Sequence, residues 1–286
     1  MSSPAATSSP STSPPRRGRT QTALIAGFDA TDIFNHMIED QNKNRTFNDK
    51  AEYLKFRRLL VDWMAEVSHK KFRLQPHTTH VAVMYLDRIL QSSIVERDRL
   101  QLVSMVAILI AAKFEERELD VPPIVEIVQE LGNQFSAKHV CEMEILVLNR
   151  LKWDLSEYTA LHFLAHFFHN GVLYEDDMIH QTQTSAVSLK KITRYLQRYA
   201  EFFAEMTLQE YGFQKYSSSI VAASIVVASR KAINIMPYWR PEMEPLLRCK
   251  WDDIRECLED VLNLYDVQIK QVYPSPDNVS GVDSME

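Results

Sequence analysis

Leu100–Glu116 reads LQLVSMVAILIAAKFEE, an almost unbroken apolar run that ends abruptly in Lys113-Phe114-Glu115-Glu116. A helix that is apolar all round belongs in the middle of a domain. The run is too short, and too soon followed by charge, to span a bilayer, which takes ~20 apolar residues. Ala107, Ala111 and Ala112 allow neighbouring helices to approach closely. The stretch therefore predicts a central helix with others packed around it and a lysine at its end to be explained.

Working outward, Asp49–Ser68 places Phe56, Leu60, Trp63 and Val67 at helical spacing. Roughly 77–91, 98–114, 122–131 and 136–151 follow as further helices, with short polar links between them. Strand-like alternation is nowhere sustained. Before this block, Asp32–Gln41 (DIFNHMIEDQ) carries Ile33, Phe34, Met37 and Ile38 on one face, with Thr31 as N-cap. It predicts a short helix lying across a surface.

The plan repeats. Ile220–Lys231 echoes Val103–Lys113, being apolar, alanine-rich and closed by a cation. Leu189–Met206 takes the place of His77–Leu90, and Trp251–Val267 that of His139–Leu155. An offset of roughly 115–118 residues means two similar domains rather than a solenoid. The expected fold is all-α, with two tandem five-helix domains and a short N-terminal helix. The expected divisions are a Ser/Pro-rich tail over 1–28, a first domain with its preceding helix over 29–155, a second over 156–272, and a polar tail over 273–286.

Bulk composition narrows the function. A net charge of −6 argues against a nucleic-acid binder, which needs a basic face. Three cysteines without a CxxC pair (Cys141, Cys249, Cys257) suit reduced thiols inside a cell better than a disulfide framework. The Ser/Pro-rich start has no apolar stretch of the kind a signal peptide needs. In that tail Ser13-Pro14-Pro15-Arg16 matches what a proline-directed kinase reads, a pattern that also recurs by chance in Ser/Pro sequence. PPRRGR is a sparse basic cluster; nucleus is favoured over cytoplasm as the location.

Three constellations carry alternatives. Arg57 and Asp87 sit on helices with apolar faces, where charges are costly unless they meet; the other reading is two solvated charges. Lys113 either complements its helix dipole or meets Glu144, which interrupts an apolar face. His162, His166 and His169 at i, i+4 and i+7 could ligate zinc. The glutamate of H-E-x-x-H is missing, however, because Phe163 follows His162, so packed or capping histidines are expected and no metal or other cofactor is assigned. Arg255-x-x-Leu258-x-x-x-x-Asn263 matches a destruction signal, but lies where a helix is predicted and is set aside as chance.

Together RRLLVDWMAEV, HVAVMYLDRIL, LQLVSMVAILIAAKFEE and VCEMEILVLNRLKWDL resemble the cyclin family. The resemblance covers roughly 30–270, and the second half is most similar to the J-type members. It implies a non-catalytic subunit that binds and activates a cyclin-dependent serine/threonine kinase. On this resemblance Lys113, Glu144, Ile110, Phe114, Trp153 and Leu155 would contact the kinase, and Arg57 with Asp87 would form the family's internal ion pair. Leu59, Leu60, Trp63, Glu66 and Gln101 would line a shallow groove for Arg-x-Leu peptides of substrates or inhibitors. Phe56 stands there where methionine is usual and Arg58 where alanine is usual, and a cation at the rim disfavours a basic peptide. A cyclin-fold transcription regulator that binds DNA is the alternative, and the acidic charge counts against it.

Overall fold

The structure, a computed structural model, describes residues 30–45, 47–92, 95–179, 182–183 and 186–272. The Ser/Pro tail with Ser13 and the polar segment over 273–286 lie outside these residues. The first bundle is built from α2 (Leu54–Glu66), α3 (Pro76–Ser92), α4 (Leu100–Glu115), α5 (Ile124–Glu130) and α6 (Ala137–Arg150). The second is built from α7 (Ala160–Asn170), α8 (Ala186–Gln209), α9 (Ser218–Ala232), α10 (Glu244–Leu247) and α11 (Trp251–Val272). The fold is all-α, as the repeat predicts.

Helix α4 is the axis of the first bundle: every residue from Leu102 to Ala112 is buried, chiefly under α3 and α6. Helix α9 does the same in the second, buried from Val221 to Arg230 beneath α7, α8 and α11. Alanines let the surrounding helices come close, and burying the Leu, Ile and Val side chains stabilises each bundle by ~1.5–3 kcal/mol apiece. Local signals set the ends. Ser136 and His139 form a reciprocal capping box at the start of α6, as Thr159 and His162 do for α7. The carboxylate of Glu116 accepts hydrogen bonds from Gln75 N (2.7 Å) and Thr78 Oγ1 (2.6 Å) at the start of α3. An anion there satisfies otherwise orphaned groups and complements the helix dipole.

Two features depart from expectation. Helix α1 (Ala30–Asp40) precedes the first bundle in sequence, yet Phe34 and Met37 belong to the apolar core of the second. Phe34 stacks on His166 at 3.9 Å and meets Phe163 and Phe167 edge-on at 6.0 Å. An amphipathic helix fixes which face is buried but not against what, so the covalent order misleads. Second, β1 (Met178–Ile179), β2 (Thr182–Gln183) and β3 (Ile235–Met236) form a small antiparallel sheet in the order β2-β1-β3, with Met178 opposite both Gln183 and Met236. Two-residue strands are too short to leave an alternating pattern in the sequence.

Candidate functional site

Lys113 is the first residue of α4 after the buried run to reach solvent. Its Nζ lies 2.5 Å from Glu144 Oε1 on α6, the two side chains being 49% and 17% exposed. Exposed ion pairs contribute ~0–1 kcal/mol, so stability does not account for this one. Large apolar side chains of the first box also stand in solvent: Phe114 beside Lys113, Ile145 and Leu146 beside Glu144, Val125 on α5, and Trp153 just after α6. Trp153 is 65% exposed, and Lys152 and Trp153 both have left-handed backbones (φ 57° and 59°). That conformation is uncommon outside glycine. Main-chain bonds from Lys152 N to Asn149 O and from Trp153 N to Leu148 O hold it, and the indole donates to Asn149 Oδ1 at 3.1 Å.

Ile110 is not part of this edge. It is 2% exposed and inside the first core, because α4 is enclosed on all sides through Ala112. Leu155 is half-buried against the same core, and its carbonyl accepts the Tyr85 hydroxyl at 2.6 Å. Of the six residues, Lys113, Phe114 and Trp153 are exposed, Glu144 is partly exposed, and Leu155 packs on the first core.

Arg57 and Asp87 meet in a buried bidentate pair: Nε to Oδ1 and Nη2 to Oδ2, both 2.9 Å, with side chains 2% and 4% exposed. Tyr53 (3.0 Å) and Gln214 (3.3 Å) also donate to the carboxylate. Arg57 further donates to the carbonyls of Gln209 (2.8 Å) and Leu208 (3.0 Å), at the end of α8. Burial alone would make Arg57 easier to deprotonate; Asp87 outweighs that and raises its pKa. The pair therefore fixes α2 on α3 and also ties the first bundle to the second, a role its spacing could not show.

The groove residues divide. Leu59, Glu66 and Gln101 are exposed, Trp63 is half-buried and Leu60 belongs to the core. Glu66 pairs with Lys70 at 2.9 Å, and Arg58 with Glu210 of the second bundle at 3.2 Å. Phe56 is covered by the guanidinium of Arg97, 4.7 Å from the ring centroid. The three histidines of α7 serve separate purposes. His162 Nδ1 accepts from Thr159 N, His166 stacks on Phe34, and His169 is exposed.

The second bundle treats its matching cation differently. Arg230, at the end of α9, is fully buried and holds Asp177 through two bonds of 2.9 and 2.7 Å. It also donates to the carbonyls of Val172, Pro237 and Tyr238. Arg240 donates to Asp177 as well, at 3.0 Å. Sequence reading missed this cluster; the adjacent pair Arg230-Lys231 was the available signal, one cation going inward while Lys231 is exposed.

Family models describe the two halves: "Cyclin, N-terminal domain" matches residues 32–156 and "Cyclin, C-terminal domain" residues 158–280. A cyclin-J-like protein of Mus musculus is 32% identical over 84% of this chain and 63% of its own length. Cyclin-J of Xenopus laevis is 27% identical over 88% and 66%. A G2/mitotic-specific cyclin-A of Hydra viridissima is 32% identical over 86% and 57%. The chain thus spans about three fifths of the length of these curated relatives. Among solved structures, a viral cyclin from herpesvirus saimiri aligns with a TM-score of 0.56 at 18% identity, over 80% of this chain and 92% of the other. The yeast RNA polymerase II CTD kinase complex CTDK-1 contains a chain that aligns with the same score at 13% identity, over 88% and 84%. Helical order, the repeat and both family models agree: the chain belongs to the cyclin family and folds as two tandem cyclin boxes.

Proposed function

We propose that this chain is a non-catalytic regulatory subunit that binds a cyclin-dependent serine/threonine kinase and stabilises its active conformation in control of the cell cycle. The observation that carries the reading is the outward Lys113–Glu144 pair with exposed Phe114 next to Lys113 and exposed Trp153 beyond the end of α6. Apolar side chains of this size on the surface, beside a fixed pair of opposite charges, describe a partner surface rather than a fold requirement. Helix α4 adds rigidity, since its buried body holds Lys113 in place from below.

A free kinase holds its mobile helix with the catalytic Lys–Glu pair unmade. A rigid partner that fits only the productive arrangement shifts that equilibrium by its difference in affinity for the two states. Moving it from 1:99 to 99:1 takes ~5.5 kcal/mol of differential binding. In the second box Arg230 turns inward onto Asp177, and among the described residues the exposed Lys231 makes no ion pair like that of Lys113 with Glu144. The same reading places the complex in the nucleus. Recruitment of Arg-x-Leu peptides is the weaker part of the proposal: Lys70 already sits on Glu66 and Arg58 stands at the rim, although Glu210 neutralises part of its charge.

The test is affinity purification of the full chain from cells, comparing wild type with Lys113→Glu/Glu144→Lys. The double reversal keeps an internal pair while inverting the charges a partner meets. A kinase recovered with the wild type and lost with the double variant supports the proposal. Equal recovery with both refutes the assignment of this edge.

A further inference from the structure

A small cavity of about 50 Å³, partly open to solvent, lies where the two boxes meet the segment leading from α1. Arg45 enters it from that segment. Its Nη2 donates to Ser218 Oγ at 3.0 Å, while its buried Nε and Nη1 have no partner within the protein. His80, on α3 and 4% exposed, lines the same cavity, and its Nε2 also has no protein partner. The remaining polar groups of the wall are neutral: Thr159, Thr207, Gln214 and Ser218. Among the described residues no carboxylate lines it. The nearby Glu157 is engaged by Arg88 at 2.7 Å.

Thr159 is the N-cap of the 11-residue α7, and Ser218 the first residue of the 15-residue α9. Two helix N-termini therefore converge on the cavity, each bringing partial positive charge. Burial pulls the Arg45 pKa down to about 10 despite the raising effect of Glu157, which marks a cation short of counter-charge. Burial of a guanidinium without its full complement of hydrogen bonds is costly, and the cost disappears when an anion accepts from it.

We propose that the junction between the boxes binds one small inorganic anion of chloride size, held by Arg45 Nε and Nη1 and by His80 Nε2–H. The space suits a small ion: a cavity needs only ~10–15 Å³ to hold one water, so this one admits a monatomic anion with a water or two beside it. The anion would join α3, α7, α9 and the α1 segment at one point, so that the relative placement of the boxes responds to it.

The test uses the full chain and chloride as the probe. Melting is followed in sodium chloride and in sodium gluconate, an anion too large for the cavity, at equal ionic strength. At tenfold over the Kd, chloride should raise Tm by about 3–5 °C, and further additions should raise it with the logarithm of concentration. The rise should vanish in Arg45→Met. Crystals grown in bromide should show an anomalous peak within hydrogen-bond reach of Arg45, a measurement that needs no variant to fold. Equal melting of the wild type in both salts overturns the proposal, as does density for water alone without an anomalous signal.

Discussion

Removing Asp87 tests the claim that one buried ion pair fixes two helices and two boxes together. In Asp87→Ala the Arg57 guanidinium stays buried with only the carbonyls of Leu208 and Gln209 as acceptors. Breaking a buried pair from one side costs about 3–5 kcal/mol. The hydroxyl of Tyr53 and the amide of Gln214 lose their acceptor as well, at ~1 kcal/mol or less each. The expected sum is about 4–6 kcal/mol, a large part of the 5–15 kcal/mol typical of folded proteins. For a chain of this size that is a fall in Tm of about 10–20 °C. Arg57→Met/Asp87→Leu removes the stranded charge and should recover about 2 kcal/mol or more of the loss. Urea unfolding of the wild type, Arg57→Met, Asp87→Leu and the double variant completes the cycle. A cost below about 1 kcal/mol for Asp87→Ala, or a double variant as damaged as the sum of the singles, would refute the reasoning.

Three further outcomes follow from packing and burial. Phe34→Ala leaves a gap against His166, Phe163 and Phe167 and should cost about 3 kcal/mol or detach α1; amide exchange that stays slow across Ala30–Asp40 would contradict it. Burial holds His162 down to about 4 and His80 to about 3, against an ordinary value near 6.5. The unfolded chain therefore binds protons that the folded one refuses, so stability should fall as pH drops from 6.5 towards 4. Glu115, raised by its burial, works in the opposite sense near the ordinary glutamate range. His162→Gln should flatten the fall, and an unchanged pH profile would count against the assignment. Burial pushes the thiols of Cys249 and Cys257 up to about 12, while Cys141 is exposed. Iodoacetamide on the native protein should modify Cys141 first by mass spectrometry, and early labelling of Cys257 would show that α11 opens.

Much of this fold is legible in sequence because α4 and α9 are extreme cases. A run from Leu102 to Ala112 with no polar face except Ser104 can only be a core axis, and its recurrence near Val221 means two such axes. The charged exceptions were readable for the same reason: Arg57, Asp87 and Lys113 interrupt apolar context, where a charge demands a partner. Other features depend on long-range placement. Helix α1 shows an apolar face but not that Phe34 would find His166, some 130 residues on in the chain. Ile110 belongs to a motif whose outer rim begins only at Lys113, and burial on every side of a helix cannot be apportioned from one strand of letters. Arg45 and His80 look like ordinary residues of a link and a helix; only the convergence of α3, α7 and α9 makes their unpaired donors visible.

The measurement closest to the central claim is the affinity of the purified chain for its purified kinase, with and without the Lys113–Glu144 edge. Titration calorimetry on wild type and Lys113→Glu/Glu144→Lys should show at least a hundredfold weaker Kd for the variant, about 2.7 kcal/mol. Tm should stay within about 2 °C, since the pair is exposed and remains internally satisfied. A variant that binds within threefold of wild type would contradict the account and place the kinase on another face.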